Sequence, residues 1–134
     1  MQRNSVNKVL LVGRTGSDAD VRYTTKGMAI ATISLATSET KKDGKGEFQE
    51  TTEWHRVVVF GKTAEFTENY VKKGALIYVE GRIHTHKWED KEEKQQHYMT
   101  EIVGDKLIML GGWKKGSEKS ATIAVAEAEE EVPF

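Results

Sequence analysis

The sequence predicts an all-β domain: a small barrel of five strands, one short helix between the third and fourth, and a flexible acidic C-terminal tail. Three observations carry this. Runs of apolar and β-branched residues recur between glycine-bearing turns. One stretch has helical spacing. It falls after the third long strand and before the fourth.

In order, residues 6–13 (VNKVLLVG) form an apolar run closed by glycine, and residues 13–20 (GRTGSDAD) are turn chemistry. Residues 21–27 (VRYTTKG) suggest a short strand turning at Lys26 and Gly27. Residues 28–37 (MAIATISLAT) are rich in small and β-branched side chains and suit a strand. A charged loop with two glycines, residues 41–47, leads to the clearest strand, TTEWHRVVVF at 51–60. In KTAEFTENYVKKG, Phe66 and Tyr70 lie four apart, with Ala64, Thr67 and Val71 at helical intervals. Lys72 and Lys73 suit a last turn, facing the negative end of the helix dipole, and Gly74 suits the stop. Residues 75–88 form a long strand, 89–94 a charged hairpin tip, and 95–110 a last strand broken near Gly104 and Asp105. Five strands with a lone helix at that point is the order of the OB-fold. Small SH3-like barrels and incomplete sandwiches remain alternatives on pattern alone.

At 134 residues the chain suits one domain. Charged residues make up 31% and hydrophobic ones 37%, as in a soluble domain with a highly charged surface. There is no cysteine, which excludes disulfides and thiolate metal sites. No run approaches the roughly 20 apolar residues of a membrane helix, and no signal core opens the chain. The expected location is cytoplasmic, with no membrane partner. The net charge of −1 conceals an asymmetry: residues 117–134 carry one lysine against five glutamates, leaving +3 on the rest. A basic body with an acidic tail recurs in nucleic-acid-binding proteins.

Strand alternation places Trp54, Arg56, Val58 and Phe60 on one face, with His55, Val57 and Val59 on the other. In the fourth long strand Arg82, His84, His86 and Trp88 share a side, while Ile77, Val79 and Ile83 oppose them as core. Two strands therefore each present tryptophan and arginine together. Indole faces stack on bases and cations meet phosphates, the combination for sequence-tolerant single-strand binding. Competing motifs are incomplete. GKT at 61–63 lacks the upstream glycine of a phosphate loop, since Arg56 stands there. His84, His86 and His97 have no evident fourth ligand, so no metal or other cofactor is expected. No nucleophile-base grouping is set by a motif, so no catalytic residue is expected and an enzyme is disfavoured. The tail ends EEEVPF: Pro133 is the sole proline, and an apolar tip beside carboxylates suits a pocket with a basic rim.

The segments VNKVLLVG, DADVRYTTKG, ISLATSE, TEWHRVVVFGKTAE, YVKKGALIYVEGRI, HKWED and IMLGG, with the ending EEEVPF, resemble in order the bacterial single-stranded DNA-binding proteins. The resemblance runs from about residue 6 to 112 plus the tip. It implies an OB-fold at 1–112 and a partner-binding tip at 129–134, and the residues between them, 113–128, are expected to form a short flexible linker. It further implies a homotetramer wrapped by single-stranded DNA, associated with the nucleoid. Trp54, Phe60 and Trp88 match the family's stacking aromatics. Lys8, Arg22, Arg56, Lys62, Lys73 and Lys87 match its phosphate-contacting cations. Arg82 joins them by sharing the face of Trp88, and Lys41 stands where the family often has tryptophan, exchanging stacking for phosphate attraction. The tip, Glu129, Glu130, Glu131, Val132, Pro133 and Phe134, is expected to recruit replication, recombination and repair proteins. His84 and His86 lie where arginine is common, Ala19 replaces a common proline, and the linker is unusually short. His55 suits either a subunit contact or the core. The alternatives are an OB-fold interaction module without DNA binding, and an RNA-binding or chaperone OB protein.

Overall fold

The computed structural model describes residues 3–112 and the backbone of 124–127. The elements are β1 (Val9–Thr15), β2 (Asp20–Tyr23), β3 (Ala29–Lys42), β4 (Phe48–Phe60), α1 (Gly61–Tyr70), β5 (Leu76–Asp90), β6 (Gln95–Gly111) and β7 (Ala124–Glu127). Five strands close on themselves in the order β1-β5-β6-β4-β3, with β3 returning to β1. All these pairings are antiparallel except β4 with β6, where Val57 and Val58 pair with Ile102 and Val103 in parallel. This is the five-stranded barrel that the element order predicts, with α1 between its third and fourth strands. The strand β2 adds to β3 outside the ring.

The barrel interior is lined by alternating positions. Ile33 and Leu35 of β3, Val57 and Val59 of β4, Ile77 and Val79 of β5, and Leu107 and Met109 of β6 are all essentially inaccessible. The helix sits at the barrel's end and contributes Ala64 to the same core, with Val71 just beyond it. Thr67 satisfies its buried hydroxyl by donating to the Thr63 carbonyl at 2.8 Å. The helix ends earlier than expected, at Tyr70, so Lys72 and Lys73 lie beyond its last turn. Lys72 still serves the helix end, because its ammonium donates to the Glu68 carbonyl at 2.8 Å.

Two hairpin arms extend beyond the barrel. β3 and β4 stay paired to Lys42 and Phe48, so the expected 41–47 loop contracts to a turn. Asp43 organises that turn, its Oδ1 accepting from the backbone N–H groups of Lys45 and Glu47. The second arm is β5–β6, paired from Gly81 with Gly104 out to Asp90 with Gln95. Ile83, expected in the core, is half exposed because β5 has already left the barrel. There the Asn7 side chain pairs with both backbone groups of Ile83 (2.8 and 2.9 Å), continuing the β1 ladder by one rung.

The departure point is a β-bulge between Glu80 and Gly81, which explains the break expected near Gly104 and Asp105. The two strands cross so closely that a Cβ on Gly81 would lie 2.0 Å from the Val103 carbonyl oxygen. Backbone cannot yield as a flexible side chain does. Gly81→Ala should therefore lower stability by roughly 1–3 kcal/mol. Urea unfolding at fixed protein concentration should show a lower midpoint with an unchanged slope.

Within the stretch read as linker, Ala124–Glu127 pairs antiparallel with β6, from Lys106 opposite Glu127 to Met109 opposite Ala124. The rest of the linker and the tip residues 129–134 lie outside the described residues.

Candidate nucleic-acid interface

The groove side of the barrel is made by β2, β3, β4 and the β5–β6 arm. Trp54 and Arg56 project from β4 at the point where that strand passes from arm to barrel. The Trp54 side is 60% exposed, and its ring lies over Gly16, where a Cβ would meet the indole at 2.6 Å. The missing side chain at Gly16 therefore leaves room for the outer edge of an exposed indole. Trp88, 42% exposed, projects from β5. It stands between His86 (ring centroids 5.9 Å apart) and His97 of β6 (5.5 Å, planes 26° apart). This packing orders the indole while leaving it partly open.

Two adjoining depressions run between these aromatics. One is bordered by Trp54, Ser17 and Asp18, the other by Trp88, Arg22 and His86. Arg56, Asp20 and Thr32 border both, so Arg56 lies between the two tryptophans along the groove. His55, on the other face of β4, is half-buried and shares a 2.8 Å hydrogen bond with the Thr37 hydroxyl.

Phe60 departs from the expectation of a stacking ring. It is 3% exposed and packs with Val58 and Val103, against Met28 and Ile30. The reason is its place on β4: from Val57 onward the strand is covered on both faces. The strand alternation that groups Phe60 with Trp54 says nothing about where that cover begins.

The cations proposed for phosphate are distributed unequally. Arg22 and Arg56 line the groove. Arg82 lies at the root of the β5–β6 arm, its guanidinium 2.9 Å from Asp105. Lys87 projects from the arm face opposite Trp88, with its ammonium 5.5 Å from the Tyr98 ring. Lys41 is an exposed residue near the end of the β3–β4 arm, 4.0 Å from Glu39. Lys62 is exposed in the first turn of α1 and Lys73 is exposed after the helix, where its backbone N–H donates to Asp18. Lys8 immediately precedes β1 and bonds Glu80 of β5 at 2.7 Å.

Among the described residues, Lys8, Arg22, Lys41, Arg56 and Arg82 already face carboxylates. Exposed pairs contribute only about 0–1 kcal/mol, so a phosphate can compete for most of them. The Arg56 pair differs because its partner Glu101 is 7% exposed. Glu101 and Met99 belong to the groove without having been anticipated. Their signal was the register of β6, since Met99 pairs with His86 and Glu101 with His84. Phe48 and Tyr98, both exposed, are further aromatics on the two arms that strand patterning did not single out.

An OB barrel whose groove carries exposed indoles around an arginine is the architecture of a single-strand nucleic-acid-binding protein. The model of the Single-strand binding protein family matches residues 6–110, and the chain belongs to that family. Among solved structures, it is similar to the SSB of Plasmodium falciparum in complex with ssDNA, at 37% identity and a TM-score of 0.72. That alignment covers 83% of this chain and 100% of the other. It is also similar to a deletion mutant of the single-stranded DNA binding protein from Thermus aquaticus, at 30% identity and a TM-score of 0.63. There the match covers 78% of this chain and 56% of the Thermus chain.

The outer-face network has a titration signature. The Lys8 ammonium, and then the Tyr78 hydroxyl at 3.0 Å, hold the Glu80 carboxyl below the usual carboxylate range. A depressed carboxyl adds stability that is present above its ordinary value near 4.5 and lost as pH falls through the depressed one. NMR titration of the Glu80 side-chain carbonyl carbon should give a midpoint below 4.5, and Lys8→Gln should raise it.

Proposed function

We infer that this protein binds single-stranded DNA without sequence preference, coating strands exposed by unwinding and keeping them from pairing and from nucleases. The observation that carries this is the groove itself, with Trp54 and Trp88 exposed on either side of Arg56. Every base has a π-face and every nucleotide a phosphate, so stacking plus charge is indifferent to sequence. Family membership and the ssDNA-bound Plasmodium relative support the reading. It is a binding protein and not an enzyme, acting in replication, recombination and repair. It works as a homotetramer. The outer face of β1 supports association, since Leu10 and Val12 are 58% and 52% exposed on an otherwise well-packed barrel. Residues 129–134 recruit partner enzymes.

Titration with oligo(dT), beside duplex DNA and RNA of equal length, should quench tryptophan fluorescence with the single DNA strand far more than with duplex. Trp54→Ala or Trp88→Ala should each weaken binding about 5- to 150-fold, the equivalent of roughly 1–3 kcal/mol of stacking. Equal quenching by RNA would move the reading to an RNA-binding OB protein. No response to any strand would leave an interaction module that works through its tail.

Deleting residues 129–134 should leave oligo(dT) affinity within a few-fold and abolish capture of replication and repair proteins. Capture that survives the deletion would refute the role of the tip.

A further inference from the structure

The geometry points to Glu101 as a positioning residue that couples phosphate binding at Arg56 to proton uptake at His84. This rests on the reading of the groove as a single-strand DNA site and adds a regulation to it. Glu101 lies on the floor of the groove, its side chain 8% exposed. Its two carboxylate oxygens face two different cation-forming groups. Oε2 is 3.3 Å from Arg56 Nε, and Oε1 is 4.0 Å from Nδ1 of His84, its cross-strand partner. Arg56 is half exposed on the other side, so it also faces whatever occupies the groove.

A carboxylate with so little access to water needs a counter-charge, and losing its partner is expensive. A phosphate that engages Arg56 divides the guanidinium's charge between itself and Glu101. Imidazole is the one side chain whose charge changes at physiological pH, and the His84 ring is placed against the other oxygen. Protonated His84 restores the charge balance of Glu101 and leaves Arg56 to the phosphate. Other charged and titratable groups of the groove and arm, among the described residues, have contacts of their own, His97 of β6 with Asp90 at 3.8 Å included. On β5, Arg82 is held by Asp105, and His86 stacks on Trp88. Across the groove on β2, Arg22 pairs with Asp20 at 3.5 Å.

By linkage, a complex that takes up a proton is favoured as pH falls, and the reciprocal holds for the proton. Oligo(dT) affinity at constant ionic strength should therefore rise between pH 8 and pH 6, by up to about tenfold per pH unit for one proton. Calorimetry in buffers of different ionisation enthalpy counts the protons directly. Glu101→Gln needs no counter-charge, so it should flatten this pH dependence, and His84→Gln should flatten it equally. His86→Gln is the control and should keep most of it. Glu101→Gln should also free Arg56 at pH 8, adding about 0.7 to the magnitude of the logarithmic salt slope. A merely structural role for Glu101 moves neither slope.

Circular dichroism checks the fold of Glu101→Gln, and His84→Gln provides an independent arm if that fold is lost. Unchanged pH dependence in His84→Gln, or its loss in His86→Gln alone, would overturn the coupling. Absence of oligo(dT) binding at every pH would instead overturn the reading of the groove itself.

Discussion

The β5–β6 ladder is the interaction on which the rest of this structure depends. Its inner half is barrel wall, pairing Ile77 with Met109 and Val79 with Leu107. Its outer half is an arm that brings Trp88, His86 and Glu101 to the groove. One pair of strands can serve both purposes only if it bends sharply between them. The bulge opposite Gly81, with backbone passing where a side chain would stand, supplies that bend. The direction of the arm, and hence the width of the groove, follows from a contact between main chains that no side chain can enter.

The groove is electrostatically restrained as well as attractive. A surface of unopposed cations would bind any polyanion and repel itself on folding. Here Lys8, Arg22, Lys41, Arg56 and Arg82 are matched to carboxylates of graded exposure, from the open Lys41–Glu39 pair to the shielded Arg56–Glu101 pair. The exposed pairs exchange readily with phosphate because water already screens them. The shielded one ties its arginine to a second group, which turns an attraction into a coupling.

Much of this was legible in the order of residues. TTEWHRVVVF identifies both a strand and the groove face of that strand, since alternation puts Trp54 and Arg56 together and the structure leaves them at the groove. KTAEFTENYV specifies its own helix through the Phe66–Tyr70 spacing, realised as ring centroids 5.0 Å apart. Phe60 and Ile83 were not legible. Each occupies the position in a strand that its neighbours' pattern assigns, but one packs in a second cluster on the face of β4 away from the barrel interior and the other lies past the barrel's rim. Burial along a strand depends on where other elements stop, and that information is not local. Glu101 was hidden for the same reason, since only the register brings it against His84 and Arg56.

The sequence by itself determined the elements, their order and the faces of each strand, because alternation and helical spacing are properties of neighbouring residues. From these the five-stranded barrel with its single helix followed. The tertiary structure alone decided which residues on those faces meet water, which cations already hold carboxylates, and which histidine faces the buried acid. Those outcomes depend on barrel closure and on strand register, where a bulge of one residue changes every pairing beyond it.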